Sequence, residues 1–344
     1  MRVPRERGEA VRHKAHSLGL LDTKRKIVER QGYLEIPMTA IHPSLRDLGK
    51  VVEQEKVVWA RKSHTPHQQI LDEASIPHDL KAFVPRRWEK IGDVLLLRFP
   101  RELRPYQEEV CRAYARVLRV KTVLDASQGI EGEWRRPRVA ILWGEETETV
   151  HKENGVLYKL DLSEVMFSSG NIDERVRMSR VCRPGEVVVD MFAGIGYFSL
   201  PMAVWGRPSK VYACEVNPVA YAYLKENIRM NQADAVEPIL GDCREVAPRG
   251  VADRVVLGYL RDTHEYLPDA IQVLRGEGWI HYHEACPDET AHRLPEYLIK
   301  AAEKEGMMVV KLEQRRVKSY APGVYHWVVD ALISQAAPPP SRSP

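Results

Sequence analysis

The chain has 344 residues, enough for two or three domains, and its formal net charge of +3 gives no overall basic field for binding nucleic acid. Its five cysteines are scattered without a Cys-x-x-Cys pair, which argues against a structural zinc site or a disulfide framework and favours a reducing cytoplasm. The most apolar stretch, 187–205, contains Asp190 in a strand–turn–helix pattern, so it is not expected to span a membrane. We therefore expect a soluble cytoplasmic protein, with no signal peptide and no bound metal.

The first segment, residues 1–55, is predicted to be a small basic module. Its first thirty residues carry nine Lys or Arg against four Asp or Glu. The run 11–21 favours a helix, and the run 33–36 favours a strand that Pro37 ends. Residues 56–84 show no clear hydrophobic period, which is typical of a linker.

Residues 85–167 are predicted to form a compact α+β domain. A turn at Gly92 precedes a strand, and 107–118 has apolar residues near helical spacing. Two further strands are predicted over 139–143 and 158–162. A helix between strands in a segment of this length indicates a small mixed domain.

From residue 168 to residue 335 the pattern alternates between strand and helix, which favours a doubly wound parallel sheet. This unit, 168–335, is the predicted catalytic domain. The remaining tail, 336–344, is rich in proline and polar residues and is expected to be disordered.

The most informative segment is a strand followed by a glycine-rich turn. Three valines at 187–189 end in Asp190, which is typical of a buried parallel strand. Gly194 and Gly196 follow, before an apolar run that favours a helix starts at Tyr197. Glycines let the backbone approach a ligand closely, and the helix N-terminus offers free N–H groups. This arrangement binds nucleotide-like cofactors at the carboxyl ends of strands in α/β proteins.

Acidic residues end the first three strands of this unit. The second strand ends in Glu215, about 20 residues after the turn, where it can accept hydrogen bonds from a ribose. The third strand ends in Asp242, and 253–259 supplies a fourth strand. Because Asp190 inside the loop would repel a pyrophosphate, these acids favour S-adenosylmethionine over a dinucleotide. The alternative is a Rossmann-type domain whose acids only cap helices.

The cofactor strands resemble those of class I methyltransferases. The resemblance implies an α/β fold: a class I methyltransferase-like (Rossmann-type) doubly wound sheet, preceded by the small α+β domain and the short basic N-terminal module. Two further segments, 151–161 and 166–177, resemble a pair of related families that modify the purine at position 37 of tRNA, beside the anticodon. One comprises the archaeal and eukaryotic tRNA guanosine N1-methyltransferases, and the other the wybutosine-pathway tRNA aminocarboxypropyltransferases.

The segment after the fourth strand separates the two families. The methyltransferases have Asn-Pro-Pro or a close variant there, whereas 257–266, with Leu-Gly-Tyr at its start, is similar to the aminocarboxypropyltransferases. Segments 280–284 and 318–326 are also similar to that family. This match covers roughly 85–332, while 14–60 resembles the small N-terminal domain of the methyltransferases, which contacts the tRNA outer corner.

The resemblance and the strand ends together give ten candidate cofactor-binding residues. Ser168 and Arg175 match the family's cofactor-contacting positions, and Arg175 is expected to hold the carboxylate of the methionine arm by a two-pronged hydrogen bond. Glu215 is expected to hold the ribose, while by resemblance Asp242 and the Cys243 backbone face the adenine. The full set is Ser168, Arg175, Asp190, Phe192, Gly194, Gly196, Glu215, Asp242, Cys243 and Gly258.

Plainer interpretations stay open for several of these residues. Arg175 and Glu174 are alternatively solvent-exposed charges at the start of a helix. Phe192 and the neighbouring Ile195 are expected to wall the cofactor, although core packing explains both nearly as well. Asp190 is expected to act through the loop backbone and is alternatively a plain helix cap.

By family resemblance the acceptor is carbon 7 of 4-demethylwyosine in tRNA(Phe), and methylthioadenosine is the second product. Attack on the γ-carbon of the methionine arm then proceeds by alignment in a dry pocket, after which the ring carbon loses a proton. Tyr259, His264 and His283 are predicted at strand ends on the expected face, and the sequence does not choose among them as proton acceptor. Tyr259 is alternatively expected to stack on the base.

Three basic patches are candidates for RNA contacts, which are expected to be mainly to phosphates. Taken singly, each patch is equally well a solvated surface. The partner implied is the anticodon region of tRNA(Phe), with no obligate protein partner. The patches are Lys24, Arg25 and Lys26; Arg135, Arg136 and Arg138; and Arg315, Arg316 and Lys318.

Two other functions remain open from the sequence. Methyl transfer to guanosine 37 is disfavoured because Leu257, Gly258 and Tyr259 replace the methyltransferase signature. A non-catalytic tRNA-binding protein with a vestigial pocket is disfavoured because the loop glycines, Glu215 and Asp242 are present.

Overall fold

The computed structural model describes residues 1–54, 57–59, 64–132 and 134–335. The chain divides into two units, Met1–Gln69 and Ile70–Pro344. The tail 336–344, which the sequence predicts to be disordered, lies outside the described residues.

The N-terminal unit contains a three-stranded antiparallel sheet and one helix. The sheet has the order β1 (Arg2–Pro4), β3 (Tyr33–Glu35), β2 (Val28–Arg30), and the helix is α1 (Gly8–Ser17). Val3, Val11 and Ile36 form its small buried core. The predicted helix and strand of this module are confirmed, although the helix begins three residues earlier than the apolar pattern indicates.

The expected linker is wrong in its second half. A helix, α2 (Pro66–Glu73), and a 3-10 turn over His78–Phe83 lie within 56–84. Ile70 and Ala74 are buried in the core of the following domain. The few apolar residues of α2 are too sparse to produce a visible helical period, which explains the error.

The next domain is the predicted α+β domain. Its four-stranded sheet has the order β4-β5-β6-β9, and α3 packs against it through buried residues such as Val110 and Tyr114. Its elements are β4 (Trp88–Ile91), β5 (Val94–Leu97), α3 (Gln107–Leu118), β6 (Thr122–Asp125), the hairpin strands β7 (Ile130–Glu131) and β8 (Arg136–Pro137), and β9 (Ala140–Trp143). A second hairpin, β10 (Glu148–Glu153) and β11 (Val156–Asp161), follows.

The largest sheet has seven strands in the order β14-β13-β12-β15-β16-β18-β17. Its first five strands are parallel, and β18 and β17 are added antiparallel. The strands are β12 (Val187–Asp190), β13 (Lys210–Glu215), β14 (Val236–Leu240), β15 (Ala252–Leu260), β16 (Leu274–Pro287), β17 (Met307–Ala321) and β18 (Val324–Gln335). Strand order reverses beside β12, where α/β proteins bind ligands at the carboxyl ends.

Helices cover both faces of this sheet, which confirms the doubly wound fold. Val188 belongs to the core shared with α4–α6 and Val189 to the core shared with α7–α9, because successive side chains of a strand point to opposite faces. The helices are α4 (Ile172–Val181), α5 (Ser199–Pro201), continued by a π-turn over Met202–Gly206, α6 (Pro218–Met230), α7 (Cys243–Val246), α8 (Leu267–Val273) and α9 (Arg293–Lys304).

The hairpin β10–β11 packs on the catalytic domain, although the sequence assigns it to the α+β domain. Asn227 of α6 and Asn231, directly after that helix, each form two hydrogen bonds with the backbone of β11, as a neighbouring strand does. Asn231 accepts from the Leu157 N–H at 2.8 Å and donates to its carbonyl at 2.7 Å. Asn227 makes the same pair of bonds with Lys159, at 2.7 and 3.1 Å. The hairpin therefore brings Glu153 to the catalytic domain.

Candidate active site

A cavity of about 690 Å³ opens at the carboxyl ends of β12, β13 and β15. The segment 165–175, the β7–β8 hairpin and the end of β17 complete its walls. Nine of the ten candidate cofactor-binding residues lie in or beside this space, and eight line it directly: Ser168, Arg175, Phe192, Gly194, Glu215, Asp242, Cys243 and Gly258. The candidates that the sequence identifies therefore lie together at one edge of the sheet.

The glycine turn is held by its own packing. Gly194 has φ +58° and Gly196 has φ +100°, in the region that favours glycine. A Cβ at Gly194 would lie 2.4 Å from the Tyr197 ring, and one at Gly196 would lie 2.6 Å from Leu200. Gly194 lines the cavity, whereas Gly196 lies beside it and allows the turn to pack against the following helix.

Asp190 acts on the turn and does not line the cavity. Its side chain is fully buried, accepting from the Ser199 hydroxyl at 2.7 Å and from the Phe192 N–H at 3.3 Å. Burial raises the pKa of Asp190 to about 6. Asp190 therefore acts through the loop backbone, as the sequence predicts, and both of its carboxylate oxygens point into the protein.

Glu215 presents a carboxylate at the tip of β13. Its two oxygens accept from the backbone N–H groups of Gly194 and Asn217, both at 2.7 Å. Burial raises the pKa of Glu215 by more than these hydrogen bonds lower it. Each oxygen keeps a lone pair for a hydroxyl group in the cavity.

Asp242 begins α7 and shares the cavity wall with Cys243. Its carboxylate accepts from the Arg244 N–H at 2.9 Å and pairs with the Arg244 guanidinium at 2.5 Å. These hydrogen bonds hold the pKa of Asp242 below its usual value. The guanidinium also lies 5.0 Å from the centre of the Tyr266 ring.

Three aromatic rings form one wall of the cavity. Phe192 and Tyr259 are stacked with ring centres 5.2 Å apart, and Tyr266 meets Phe192 edge-on at 4.9 Å. Gly258 leaves room for Phe198, since a Cβ there would lie 3.0 Å from that ring. Sequence reasoning missed Tyr266, although it stands within the segment used to separate the two families.

Arg175, expected to hold the carboxylate of the methionine arm, is engaged within the protein. Its two-pronged hydrogen bond goes to Glu153, with Nε and Nη2 each 2.6 Å from a carboxylate oxygen. Nη1 donates to the Ser168 carbonyl at 3.0 Å, and the guanidinium lies 4.9 Å from the centre of the Phe167 ring. Both partners are buried, with 2% and 6% of their side chains exposed. Arg175 borders the cavity, but Glu153 already accepts both hydrogen bonds of its two-pronged donor edge.

Lys318, expected in an RNA-binding patch, lies in the cavity wall. Its Nζ donates to Ser168 Oγ at 2.7 Å. Burial, with Arg175 and Arg135 nearby, lowers the pKa of Lys318, and Glu89 partly opposes this. Lys318 therefore lies at the same end of the cavity as Arg175. It belongs to β17 and comes 150 positions after Ser168 in the chain.

The three candidate proton acceptors have different positions. Tyr259 lines the cavity. His264 is outside the cavity lining, stacked on Tyr297 at 4.7 Å and 3.6 Å from Glu284. His283 is fully buried within β16, and burial lowers its pKa to about 4. The expectation that His283 ends a strand is wrong, because β16 continues to Pro287.

His283 belongs to a buried polar cluster behind the cavity. Its Nδ1 lies 2.9 Å from His326 Nε2. Nearby, Glu174 pairs with Arg177 at 2.7 Å and with Arg315. These interactions outweigh the effect of burial and hold the pKa of Glu174 at about 2. Glu174 is therefore no solvent charge, and Arg315 is engaged inside the protein.

The other predicted RNA-binding residues differ in their exposure and in whether a residue of the protein pairs with them. In the N-terminal unit Lys24 and Lys26 are exposed, whereas Arg25 pairs with Asp22 at 2.7 Å. Arg135 donates to the Tyr320 hydroxyl at 3.1 Å in the cavity wall. The exposed residues Arg136, Arg138 and Arg316 pair with Glu164, Glu131 and Asp288, respectively.

The described residues contain neither a metal-binding cluster nor a membrane-spanning helix. No group of three or more His, Cys, Asp or Glu side chains in this part of the chain is arranged to hold a metal ion. No helix within the same residues has the length and apolar character needed to cross a membrane.

Three family models match successive parts of the chain. The tRNA methyltransferase 5 N-terminal domain matches residues 1–45, the TYW2 N-terminal domain 67–147, and the TRM5/TYW2 methyltransferase domain 149–310. The second match begins at α2, which agrees with the packing of that helix into the α+β domain.

Two curated relatives are similar over most of their length. The tRNA(Phe) (4-demethylwyosine(37)-C(7)) aminocarboxypropyltransferase of Pyrococcus horikoshii is 45% identical over 260 residues, or 75% of this chain and 93% of the relative. The tRNA (guanine(37)-N(1))-methyltransferase Trm5b of Pyrococcus abyssi is 36% identical over 337 residues, or 97% of this chain and 98% of the relative.

Two solved structures place ligands on this fold. TYW2 of P. horikoshii in complex with MeSAdo has a TM-score of 0.70 and 41% identity, covering 78% of this chain and 98% of that chain. TYW2 of M. jannaschii in complex with AdoMet has a TM-score of 0.61 and 42% identity, covering 73% of this chain and 100% of that chain.

Proposed function

Because this chain belongs to the TRM5/TYW2 family, we propose that it transfers the 3-amino-3-carboxypropyl group of S-adenosylmethionine to carbon 7 of 4-demethylwyosine at position 37 of tRNA(Phe). Methylthioadenosine is released, and the modified base is an intermediate of wybutosine-type derivatives. The chain is thus a tRNA-modifying transferase that uses S-adenosylmethionine as an alkyl donor.

The observation that carries this proposal is the division of the cavity into an acidic end and a cationic end. Glu215 and Asp242 supply carboxylates that can accept from the hydroxyl groups of a ribose and from the amino group of an adenine. Lys318 supplies a cation at the end bordered by Ser168 and Arg175. The residues present therefore fit a nucleoside joined to an amino acid, which describes S-adenosylmethionine.

Bound S-adenosylmethionine supplies a sulfonium, which makes both its methyl group and the γ-carbon of its arm electrophilic. The chain must then align one of these carbons with the base and exclude water. The wall formed by Phe192, Tyr259 and Tyr266 is suited to pack against a planar base. Of the three proton-acceptor candidates, we favour Tyr259, since its side chain borders the cavity and neither histidine does.

Contacts with tRNA are assigned to the exposed basic residues. Lys24 and Lys26 are exposed, and Arg136, Arg138 and Arg316 are exposed arginines that can exchange their surface ion-pair partners for phosphates near the anticodon and elsewhere. No protein partner is required for this function. A reducing cytoplasm is the expected location, since all five cysteines are free thiols.

Methyl transfer to guanine 37 is the second candidate. It is supported by the match to Trm5b, which extends over the N-terminal unit as well as the catalytic domain. The segment at Gly258 and Tyr259 argues for aminocarboxypropyl transfer.

The test uses tRNA(Phe) carrying 4-demethylwyosine and S-adenosylmethionine labelled either in the methyl group or in the carboxyl carbon. We expect carboxyl label in the tRNA and methyl label in methylthioadenosine. Methyl label in a second tRNA(Phe) substrate, which carries unmodified guanosine at position 37, would establish the second candidate. Label in neither product would support a non-catalytic tRNA-binding protein.

A further inference from the structure

We propose that Lys318 and Asn171 bind the two charged groups of the donor's amino-acid arm, Lys318 its carboxylate and Asn171 its ammonium. This inference rests on the proposed function, since it concerns how the same cavity holds S-adenosylmethionine. It replaces the sequence-based expectation that the Arg175 fork performs this task.

Arg175 is unsuited to be the main carboxylate anchor. Its Nε and Nη2 are satisfied by Glu153, and its Nη1 by the Ser168 carbonyl. The charge of the guanidinium is balanced within the protein by a buried carboxylate. An incoming carboxylate would have to compete with Glu153 for the fork, at a site that is already dry.

The charge of Lys318, unlike that of Arg175, is not balanced by a carboxylate bound to it. Among the described residues its ammonium has no ion pair, and its hydrogen bond goes to the neutral Ser168 hydroxyl. Two cations, Arg175 and Arg135, face it, and Glu89 is the nearby acid. A half-buried ammonium in this setting has hydrogen-bond donors to spare and an unbalanced charge. A ligand carboxylate in the cavity supplies the missing negative charge and accepts the spare hydrogen bonds.

The backbone around Lys318 is shaped to admit its side chain. A Cβ at Gly170 would lie 3.0 Å from the Lys318 Nζ, so the glycine leaves the path across this turn open. The turn, Ser169–Asn171, leads directly into α4. The lysine of the last hairpin is thereby held over the start of that helix.

Asn171 supplies the complementary group at the same turn. Asn171 is among the residues that line the cavity, and its Oδ1 is buried without a hydrogen-bond partner. A buried acceptor without a partner costs free energy, which a ligand N–H can recover. Asn171 also precedes α4 without capping it through its side chain, so the amide is free for this role. A cation and a free acceptor side by side fit a ligand that carries a carboxylate and an ammonium on one carbon.

The test compares three ligands that differ in the arm alone: S-adenosylmethionine, decarboxylated S-adenosylmethionine, which keeps the ammonium, and methylthioadenosine, which lacks both charged groups. Their dissociation constants are measured by calorimetry for the full chain, for Lys318→Met and for Asn171→Ala. Lys311→Met is the matched control, because Lys311 lies on the same strand, exposed and outside the cavity lining.

We expect Lys318→Met to weaken S-adenosylmethionine about tenfold or more and the other two ligands by less than about twofold. Asn171→Ala should weaken both ligands that carry the ammonium and leave methylthioadenosine unchanged. Retained methylthioadenosine binding shows that each variant is folded. Equal losses for all three ligands, or no loss for S-adenosylmethionine, would overturn the inference.

The proposed function is tested apart from this inference by the product of the wild-type protein. If the wild type transfers methyl label while Lys318→Met loses S-adenosylmethionine selectively, the arm site stands and the proposed function fails. If carboxyl label is transferred while Lys318→Met affects all ligands alike, the function stands and the arm site fails.

Discussion

Substitution of Glu153 by Gln tests the buried ion pair that fixes Arg175. The side chains are close in shape, but the amide accepts through one atom only and is neutral. Arg175, 2% exposed, would keep a buried charge with half of its fork unsatisfied. Removing one partner of such a pair costs about 3–5 kcal/mol. At roughly 2 °C per kcal/mol for a unit of this size, the unfolding midpoint should fall by about 6–10 °C.

Differential scanning calorimetry of the full chain measures this shift, with Glu148→Gln as the control. Glu148 lies on the same strand and pairs with Lys159 at 3.1 Å, but it is 48% exposed. A pair of this kind contributes about 0–1 kcal/mol, so the control should unfold within about 2 °C of the wild type.

A double variant separates the loss of the pair from the loss of packing. Combining Glu153→Gln with Arg175→Met removes the unpaired charge, so part of the lost stability should return. A midpoint for Glu153→Gln within about 1 °C of the wild type would refute the reasoning, as would a double variant that is less stable than the single one.

Further predictions concern the ribose site, the basic surface and pH. Glu215→Gln should weaken S-adenosylmethionine and methylthioadenosine by the same factor, about tenfold, in calorimetric titrations; a loss confined to one ligand would contradict its assignment to the ribose. Arg316→Glu should weaken tRNA binding at moderate salt without changing the unfolding midpoint, whereas Arg315→Glu should lower the midpoint, because it places a second carboxylate beside buried Glu174. The pKa of buried His283 is about 4 in the folded state, below the ordinary value of 6.5. As the pH falls, the unfolded chain therefore takes up a proton on this ring before the folded chain does. Its contribution to stability is complete above pH 6.5 and is lost as the pH falls towards 4. Urea unfolding at several pH values should show this fall in the wild type and a weaker one in His283→Gln; identical profiles would exclude His283 as its source.

The sequence predicts the location of the cavity at the ends of β12 and β13 because the signals for this part of the fold are local. The β12 valines, the two turn glycines and Glu215 lie within one strand–turn–helix–strand unit, whose geometry follows from backbone preferences and alternation of side chains. The cavity does open at the ends of these strands. The fold class follows from the same alternation, repeated along the catalytic domain.

The parts that the sequence does not predict depend on pairs distant in the chain. Arg175 and Glu153 are 22 positions apart and Lys318 and Ser168 are 150 apart, and no local period indicates that either pair meets. His283 shows a different error, since the length of β16 is set by its pairing with β18 and not by its own composition.

The position of Lys318 in the β17–β18 hairpin has a consequence for the order in which the protein is made. The parallel strands and the acidic end of the cavity are synthesised before β17 and β18. A nascent chain can therefore assemble the nucleoside end before the cationic end exists. If the proposed arm site is correct, methylthioadenosine would meet nearly all of its contacts at that stage, whereas the intact donor would gain its full set only after the β17–β18 hairpin has joined the sheet.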